Sequence, residues 1–249
     1  MIEISDLYKR FGPHEVLRGA TLTVPKGETV VVIGRSGCGK SVLLKHILGL
    51  LKPDSGDILV DGESITAMGE DGLGRIRKKF GMVFQGAALF DSLNVYENVT
   101  FGLRNIGGRT EDEMREKASN VLHSVGLPGI EEKSVADLSG GMRKRVGLAR
   151  AIALDPEILL YDEPTTGLDP IMSRVIDDLI VKMKNELGVT SIVITHDITS
   201  VFRVADRVYM LNEGRIIEGG TSEELQRTED PFLRQFIDGK TDGPIVVND

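Results

Sequence analysis

A glycine-rich segment near residue 40 has the residue types and the spacing that bind a polyphosphate. The stretch GRSGCGKS covers 34–41 and matches G-x-x-x-x-G-K-[ST] at every fixed position. Backbone N–H groups of such a loop can wrap a β-phosphate, Lys40 can reach the β- and γ-phosphates, and the Ser41 hydroxyl can bind Mg²⁺. We expect the nucleotide to touch Gly34, Arg35, Ser36, Gly37, Cys38, Gly39, Lys40, Ser41 and Val42.

Two adjacent acidic residues end a later apolar run, EILLYDEP. Asp162 is expected to hold the Mg²⁺ shell, and Glu163 to polarise the attacking water. The alternative is a strand end with two solvated carboxylates, but the phosphate loop elsewhere in the chain favours the catalytic interpretation. His196 ends a third apolar run, SIVITHD, and is the one histidine of four in such a position. These side chains are the candidate catalytic groups.

A second glycine-rich segment, LSGGMRKRVGLAR, begins at residue 138 and contains no carboxylate, histidine or cysteine. It offers no acid, base or metal ligand. Ser139, Gly140 and Gly141 stand where a helix is predicted to begin, and open backbone N–H groups at the positive end of a helix dipole attract anions. The less specific interpretation is an ordinary helix cap. The chain therefore has two segments suited to phosphate.

Composition restricts the class of protein. The chain has 249 residues, of which 41% are hydrophobic and 27% charged, values typical of a globular protein. A net charge of -8 with both signs mixed argues against a general nucleic-acid binder. Cys38 is the single cysteine, so an internal disulfide is excluded. No apolar run has bilayer-spanning length, and we expect a cytoplasmic protein that reaches a membrane through a partner.

Hydrophobic patterning predicts the elements that must position these residues. Alternation predicts half-exposed strands, and short continuous apolar runs predict buried ones. Alternating strands and helices indicate an α/β fold with a parallel sheet. The half-exposed strands are MIEISDLYKRF and EVLRGATLTV; the buried ones are ETVVVIG, EILLYDE, TSIVITHD and DRVYMLNEG.

The segment of residues 89–150, between the predicted strands ETVVVIG and EILLYDE, is mostly helical. Thr110 and Glu113 form a plausible capping box for one of its helices. We expect a nucleotide-binding core made of residues 1–88 and 151–230, a helical subdomain of residues 89–150, and a C-terminal tail of residues 231–249. The last nine residues, TDGPIVVND, are expected to be loose.

The ordered motifs of this chain resemble those of the ATP-binding cassette (ABC) ATPases. The series consists of GRSGCGKS, FQ, LSGGM, ILLYDEP, GLDP and TH. The resemblance covers nearly the whole chain and is far more specific than a single phosphate loop. It implies a P-loop NTPase core, an N-terminal antiparallel β subdomain, an inserted helical subdomain and hydrolysis of ATP with Mg²⁺.

The resemblance also implies roles for residues whose chemistry alone is less informative. In this family two copies pack head to tail, and Ser139, Gly140 and Gly141 of each would close over the nucleotide on the other. Gln85 would contact Mg²⁺ and sense the γ-phosphate, Asp169 would link the two sites, and His196 would orient the water and the γ-phosphate. Phe11 matches the aromatic residue that stacks on adenine, with Tyr8 as its rival.

Met142, the stretch ALFDSLNVYENV and the end FLRQFIDGKTDGP resemble the ATPases of Mce-linked, Mla-type lipid transporters. Such a protein would lie on the cytoplasmic face of the inner membrane with a transmembrane permease, an Mce-type substrate-binding protein and a small STAS-domain protein. Leu89 and Phe90 are candidates for the permease groove, or alternatively for the core. Two rival functions stay open: the ATPase of an amino-acid-like polar-solute importer, and a non-transport ABC protein of DNA repair or translation.

Overall fold

The computed structural model describes residues 1–245, and its strands form two separate sheets. The strands are β1 (Ile2–Phe11), β2 (His14–Val24), β3 (Thr29–Ile33), β4 (Ser55–Val60), β5 (Glu63–Ser64), β6 (Phe80–Val83), β7 (Ile158–Asp162), β8 (Thr190–Ile194), β9 (Arg207–Asn212) and β10 (Arg215–Gly220). The helices are α1 (Lys40–Ile47), α2 (Glu70–Arg77), α3 (Val95–Ile106), α4 (Glu111–Ser124), α5 (Gly140–Ile152), α6 (Pro170–Leu187), α7 (Ile198–Val204), α8 (Ser222–Arg227) and α9 (Pro231–Asp238).

The first sheet is antiparallel and has the strand order β2-β1-β4-β5. In β2, Leu22 and Val24 are buried while Thr21 and Thr23 are exposed, which confirms the predicted half-exposed strand. One apolar cluster joins this sheet to α1 and to one face of the second sheet. The sequence patterning above predicts no element in residues 51–88, where β4, β5, α2 and β6 lie.

The second sheet has the order β10-β9-β3-β8-β7-β6, and all its neighbouring strands are parallel except β10 and β9. This arrangement confirms the predicted parallel sheet. Strand β8 separates β3 from β7, although it follows both in the sequence. Carboxyl ends of parallel strands lie at the same edge of a sheet, which is where ligands bind in open α/β sheets. The sheet therefore brings together the loops that follow β3, β7 and β8.

Helices α3, α4 and α5 pack on one another and belong to the second apolar cluster. The predicted capping box is confirmed, because Thr110 Oγ1 accepts from Glu113 N at 3.3 Å and Thr110 N donates to Glu113 Oε2 at 2.6 Å. An additional capping box joins Asn94 and Glu97 at the start of α3. Among residues 1–245, no helix combines the length and apolarity that crossing a bilayer demands.

The C-terminal segment packs on its own chain. The Gln235 side chain is buried on α9, and its amide accepts from Ile245 N at 2.7 Å and donates to Ile245 O at 3.1 Å. Ile245 is buried in the same cluster as Leu233, and Phe232 and Phe236 pack against that cluster. The expectation of a loose end is therefore wrong at Ile245, because the Gln235 amide holds both its backbone N–H and its backbone C=O. Residues 246–249 lie outside the described part of the chain.

Candidate active site

A cavity of about 480 Å³ opens where the first sheet meets the carboxyl edge of the second. It gathers residues that are as far apart in sequence as positions 11 and 196. Its lining consists of Phe11, Val16, Ser36, Gly37, Gly39, Lys40, Ser41, Val42, Gln85, Glu163 and His196. All of these except Val16 are candidate site residues from the sequence. Val16 was not a candidate, because an aliphatic side chain has no group that would indicate a binding site.

The phosphate loop connects β3 to α1, and its backbone surrounds the ammonium of its own lysine. Lys40 is buried, and its Nζ donates to Gly34 O at 2.7 Å and to Arg35 O at 2.9 Å. Gly39 has a φ of 107°, and a Cβ there would stand 2.8 Å from Val16 Cγ1. Only glycine fits this combination of left-handed backbone and close approach. The loop can therefore begin α1 directly at the cavity, where the positive end of the helix dipole attracts an anion.

Glu163 is the first residue after β7, and its backbone is strained. Its φ is 48°, which is unfavourable for a residue with a side chain and is typical of functional sites. Its carboxylate is largely buried and lies 3.7 Å from Lys40 Nζ. Oε2 accepts a hydrogen bond from Thr166 Oγ1 at 3.2 Å and lies 2.8 Å from His196 Nδ1. The carboxylate is thereby held by groups from three different segments.

The contact between Glu163 and His196 fixes the roles of both imidazole nitrogens. An ionised carboxylate only accepts hydrogen bonds, so Nδ1 carries the proton of this contact and Nε2 is the nitrogen left for other partners. His196 is exposed at the cavity, where it follows β8. A water held between Glu163 and a phosphate would meet a carboxylate suited to accept a proton. Thr166, which orients the same carboxylate, was not a candidate from the sequence.

Asp162 and Ser41 together offer hard oxygen ligands. Ser41 Oγ donates to Asp162 Oδ1 at 3.3 Å. Burial raises the pKa of Asp162 above its usual range, and the neighbouring charge of Glu163 acts in the same direction. A divalent cation would relieve both effects. Mg²⁺ prefers one or two protein oxygens together with phosphate oxygens, so this donor set fits Mg²⁺.

Phe11, and not Tyr8, lines the cavity, where its ring is 44% exposed. Of the two candidates for stacking on adenine, the structure therefore favours Phe11. Cys38 is a half-buried residue of the loop, and burial raises the pKa of its thiol. A raised pKa lowers the thiolate fraction, which agrees with Cys38 being a spacer and not a redox centre. Arg35 and Cys38 instead line a neighbouring cavity together with Ile245.

The second glycine-rich segment lies outside this cavity. Ser139 caps α5, with Oγ accepting from Met142 N at 3.3 Å. Ser139 and Gly140 are exposed, whereas Gly141 is buried. Asp169 caps α6 in a similar way by accepting from two backbone N–H groups. The sequence-derived site residues that do not line the nucleotide cavity are thus Gly34, Arg35, Cys38, Ser139, Gly140, Gly141, Asp162 and Asp169.

Comparisons with known proteins agree with this geometry. Residues 17–166 match the ABC transporter family. The chain is 39% identical over 245 residues to the intermembrane phospholipid transport system ATP-binding protein MlaF of Escherichia coli, covering 98% of this chain and 91% of MlaF. It is 42% identical over 248 residues to the probable ribonucleotide transport ATP-binding protein mkl of Mycobacterium tuberculosis, covering 100% of this chain and 69% of mkl.

Solved structures with the same fold include ATP-binding cassettes from transporters. One is cbiO1 of Clostridium perfringens, part of the ABC transporter complex cbiONQ, with a TM-score of 0.84, 35% identity and coverage of 92% of this chain and 91% of cbiO1. Another is the dimeric post-hydrolysis cassette MJ0796 bound to ADP and Pi, with a TM-score of 0.80, 32% identity and coverage of 88% and 98%. With its phosphate loop, carboxylate pair and sheet order, this chain belongs to the ATP-hydrolysing, ATP-binding proteins of ABC transporters.

Proposed function

We propose that this chain is the motor of a membrane transporter that moves phospholipid between envelope membranes. The proposal that the chain is an ATP-driven motor is supported by the placement of Lys40, Glu163 and His196 in one cavity. Glu163 Oε1 lies 3.7 Å from Lys40 Nζ, and Glu163 Oε2 lies 2.8 Å from His196 Nδ1. The phospholipid cargo is supported by the name of MlaF, which matches this chain along nearly its whole length.

In the proposed reaction, Glu163 accepts a proton from the water as the water oxygen attacks the γ-phosphorus. The bond from the γ-phosphorus to the oxygen of the β-phosphate breaks, so that ADP leaves and phosphate is formed. Lys40 offsets the charge of the phosphates, and His196 holds the Glu163 carboxylate through Nδ1 while Nε2 is available to the γ-phosphate. Ser41, Asp162 and Gln85 would hold Mg²⁺, which would supply positive charge against the developing charge of the phosphates. Phe11 would stack on the adenine.

We propose further that the complete site forms between two copies of this chain. The first backbone N–H groups of a helix have no partner within the helix, and those of α5 begin at the exposed Gly140. Ser139, Gly140 and Gly141 do not line the cavity of their own chain. Ser139 and Gly140 are exposed and therefore available to a γ-phosphate held by a second copy. The backbone of Gly141 would complete the contact, and Asp169 would link the two sites. The dimeric form of the cassette MJ0796 supports this arrangement.

The proposed partners are a transmembrane permease, an Mce-type substrate-binding protein and a small STAS-domain protein, without nucleic acid. They would hold this chain on the cytoplasmic face of an inner membrane. The segment of residues 89–150 would act as a subdomain that faces the permease. The likeness to MlaF supports these partners.

An apolar surface groove of about 440 Å³ lies between α3, α5 and β6. Three of its phenylalanines, Phe84, Phe90 and Phe101, are between 40% and 43% exposed. The rings of Phe90 and Phe101 are in contact, with centroids 4.6 Å apart. Leu89 packs against the core cluster and does not line the groove. Of the two candidates from the sequence, Phe90 is therefore the one available to a short permease helix.

Replacing Phe101 with Glu is expected to separate the motor from its permease. A carboxylate in an apolar groove carries a large desolvation cost, so the permease should no longer co-purify. Because Phe101 is already partly exposed, the detached chain should stay folded and hydrolyse ATP at an unchanged basal rate. The measurement is affinity purification of the tagged chain from its own cells, followed by an ATPase assay.

Leu187→Glu is the matched control, because Leu187 is 51% exposed at the end of α6 and does not line the groove. This variant should retain the permease. Full recovery of the permease with Phe101→Glu, or equal loss with both variants, would place the docking surface elsewhere.

The cargo is tested by isolating the intact complex from membranes and identifying its bound small molecules by mass spectrometry. We expect phospholipid in the complex, and ATP turnover that rises when phospholipid is supplied in nanodiscs. The name of mkl favours a second candidate, transport of a polar solute such as a ribonucleotide. A bound nucleotide beyond the ATP sites, or a soluble amino-acid-binding protein as the stable partner, would overturn the phospholipid proposal and leave the motor intact.

A further inference from the structure

Lys144 has an environment that is unusual for a lysine. Its side chain is buried on α5, where only 8% of the residue is exposed. The ammonium donates to two main-chain carbonyls, Pro164 O at 2.7 Å and Glu163 O at 3.4 Å. Burial lowers the pKa of Lys144, and the charge of Glu163 opposes this shift. Burying an ammonium is costly unless it is paired or hydrogen-bonded, and here the two main-chain carbonyls offset part of that cost.

The two carbonyls belong to Glu163, the strained residue of the active site, and to Pro164, which follows it. Glu163 has a φ of 48° and precedes a proline, and both conditions restrict its backbone. Thr166 and His196 hold the carboxylate itself, at the far end of the side chain.

The main chain of Glu163 is held by its N–H, which donates to Ile194 O at 2.9 Å, and by its C=O, which accepts from Thr166 N at 3.3 Å. Lys144 adds the contacts that join this main chain to α5, at Glu163 O and Pro164 O. Without Lys144, the strained backbone would lose its side-chain restraint from α5.

Helix α5 also carries the residues proposed to contact the second nucleotide. Ser139 caps its first turn, and Lys144 lies five positions farther along the same helix. A rise of 1.5 Å per residue separates the two by about 7.5 Å along the axis. A displacement of the N-terminus of α5 therefore moves an ammonium that is bonded directly to the backbone of Glu163.

We propose that Lys144 is a positioning residue that fixes the backbone of Glu163 and links it mechanically to the start of α5. The proposal rests on the proposed role of Glu163 as the base. It assigns to Lys144 no contact with ATP or water. Its effect is on the placement of the carboxylate, and therefore on the chemical step and not on the binding of the nucleotide.

The test is steady-state kinetics of the full chain carrying Lys144→Met, which keeps the length of the side chain and removes its donors. A carboxylate displaced by about 1 Å slows a reaction by roughly 10- to 100-fold, so kcat should fall by this factor. KM for ATP and the affinity for a nonhydrolysable analogue should change less than about twofold. Lys144→Arg, which restores donors to the carbonyls, should recover most of kcat.

Lys182→Met is the matched control, because Lys182 Nζ also donates to a main-chain carbonyl, Ser124 O at 2.8 Å, but away from the nucleotide cavity. It should affect the melting temperature and leave kcat unchanged. If Lys144→Met does not fold, Lys144→Gln replaces it, and its shorter amide should still lower kcat. An unchanged kcat in the folded Met or Gln variant, or a rise in KM without a change in kcat, would overturn the positioning role.

A double variant separates this inference from the function on which it rests. Adding Lys144→Met to Glu163→Gln should slow single-turnover hydrolysis no further, because there is no base left to position. Normal turnover of Glu163→Gln alone would refute the proposed base. A slow Glu163→Gln together with a fast Lys144→Met would refute only the role of Lys144.

Discussion

Glu163→Gln is expected to slow steady-state ATP hydrolysis by about 10²- to 10⁴-fold, the usual contribution of a general base. The amide has nearly the same shape and can still accept hydrogen bonds from His196 and Thr166, but it cannot take a proton from water. Mg-ATP should therefore bind normally, and the variant should accumulate as an ATP-bound dimer. Phosphate release measures the loss, and sedimentation with and without ATP measures the dimer.

Glu157→Gln provides the control for this substitution. Glu157 stands just before β7, at the opposite end of the strand from Glu163, and its side chain is 56% exposed. The same chemical change at this position should leave the turnover within about twofold of the original. Equal turnover in the two variants would show that Glu163 is not the base.

A mixture of two inactive chains is expected to regain activity if each ATP site is shared between copies. One chain carries Lys40→Ala and the other Ser139→Arg. In their heterodimer, the intact phosphate loop of one chain faces the intact Ser139 segment of the other, so one of two symmetric sites is complete. The two chains carry different tags, and two successive affinity steps isolate the heterodimer. If the two sites act independently, the heterodimer should reach up to about half of the original rate.

The same two substitutions on a single chain give the opposite outcome. A heterodimer of the Lys40→Ala/Ser139→Arg chain with an unaltered chain has one defect in each shared site and should be inactive. If each chain instead hydrolyses ATP with its own residues, the heterodimer with the unaltered chain would keep about half of the rate. The heterodimer of the Lys40→Ala chain with the Ser139→Arg chain would then be inactive. The pair of measurements thus distinguishes shared from self-contained sites, whatever the absolute activity.

Much of the fold follows from the patterning of the chain. Strand β2 alternates because one face packs on the core, and β3, β7 and β8 are continuous apolar runs because both faces of their sheet are covered. The short elements of residues 51–88 escape prediction. A two-residue strand such as β5 has no measurable period, and its conformation depends on pairing with β4.

For the active site, the sequence by itself determined the chemical groups: a loop that binds phosphate, a carboxylate pair and a histidine, each directly after an apolar run. Only the tertiary structure decided which groups meet. The placement of β8 between β3 and β7 brings Glu163 to both Lys40 and His196, and long-range strand order leaves no trace in local periodicity. For the same reason Val16, Thr166 and Lys144 were not foreseen. Their residue types are ordinary, and their roles arise from contacts with residues distant in sequence.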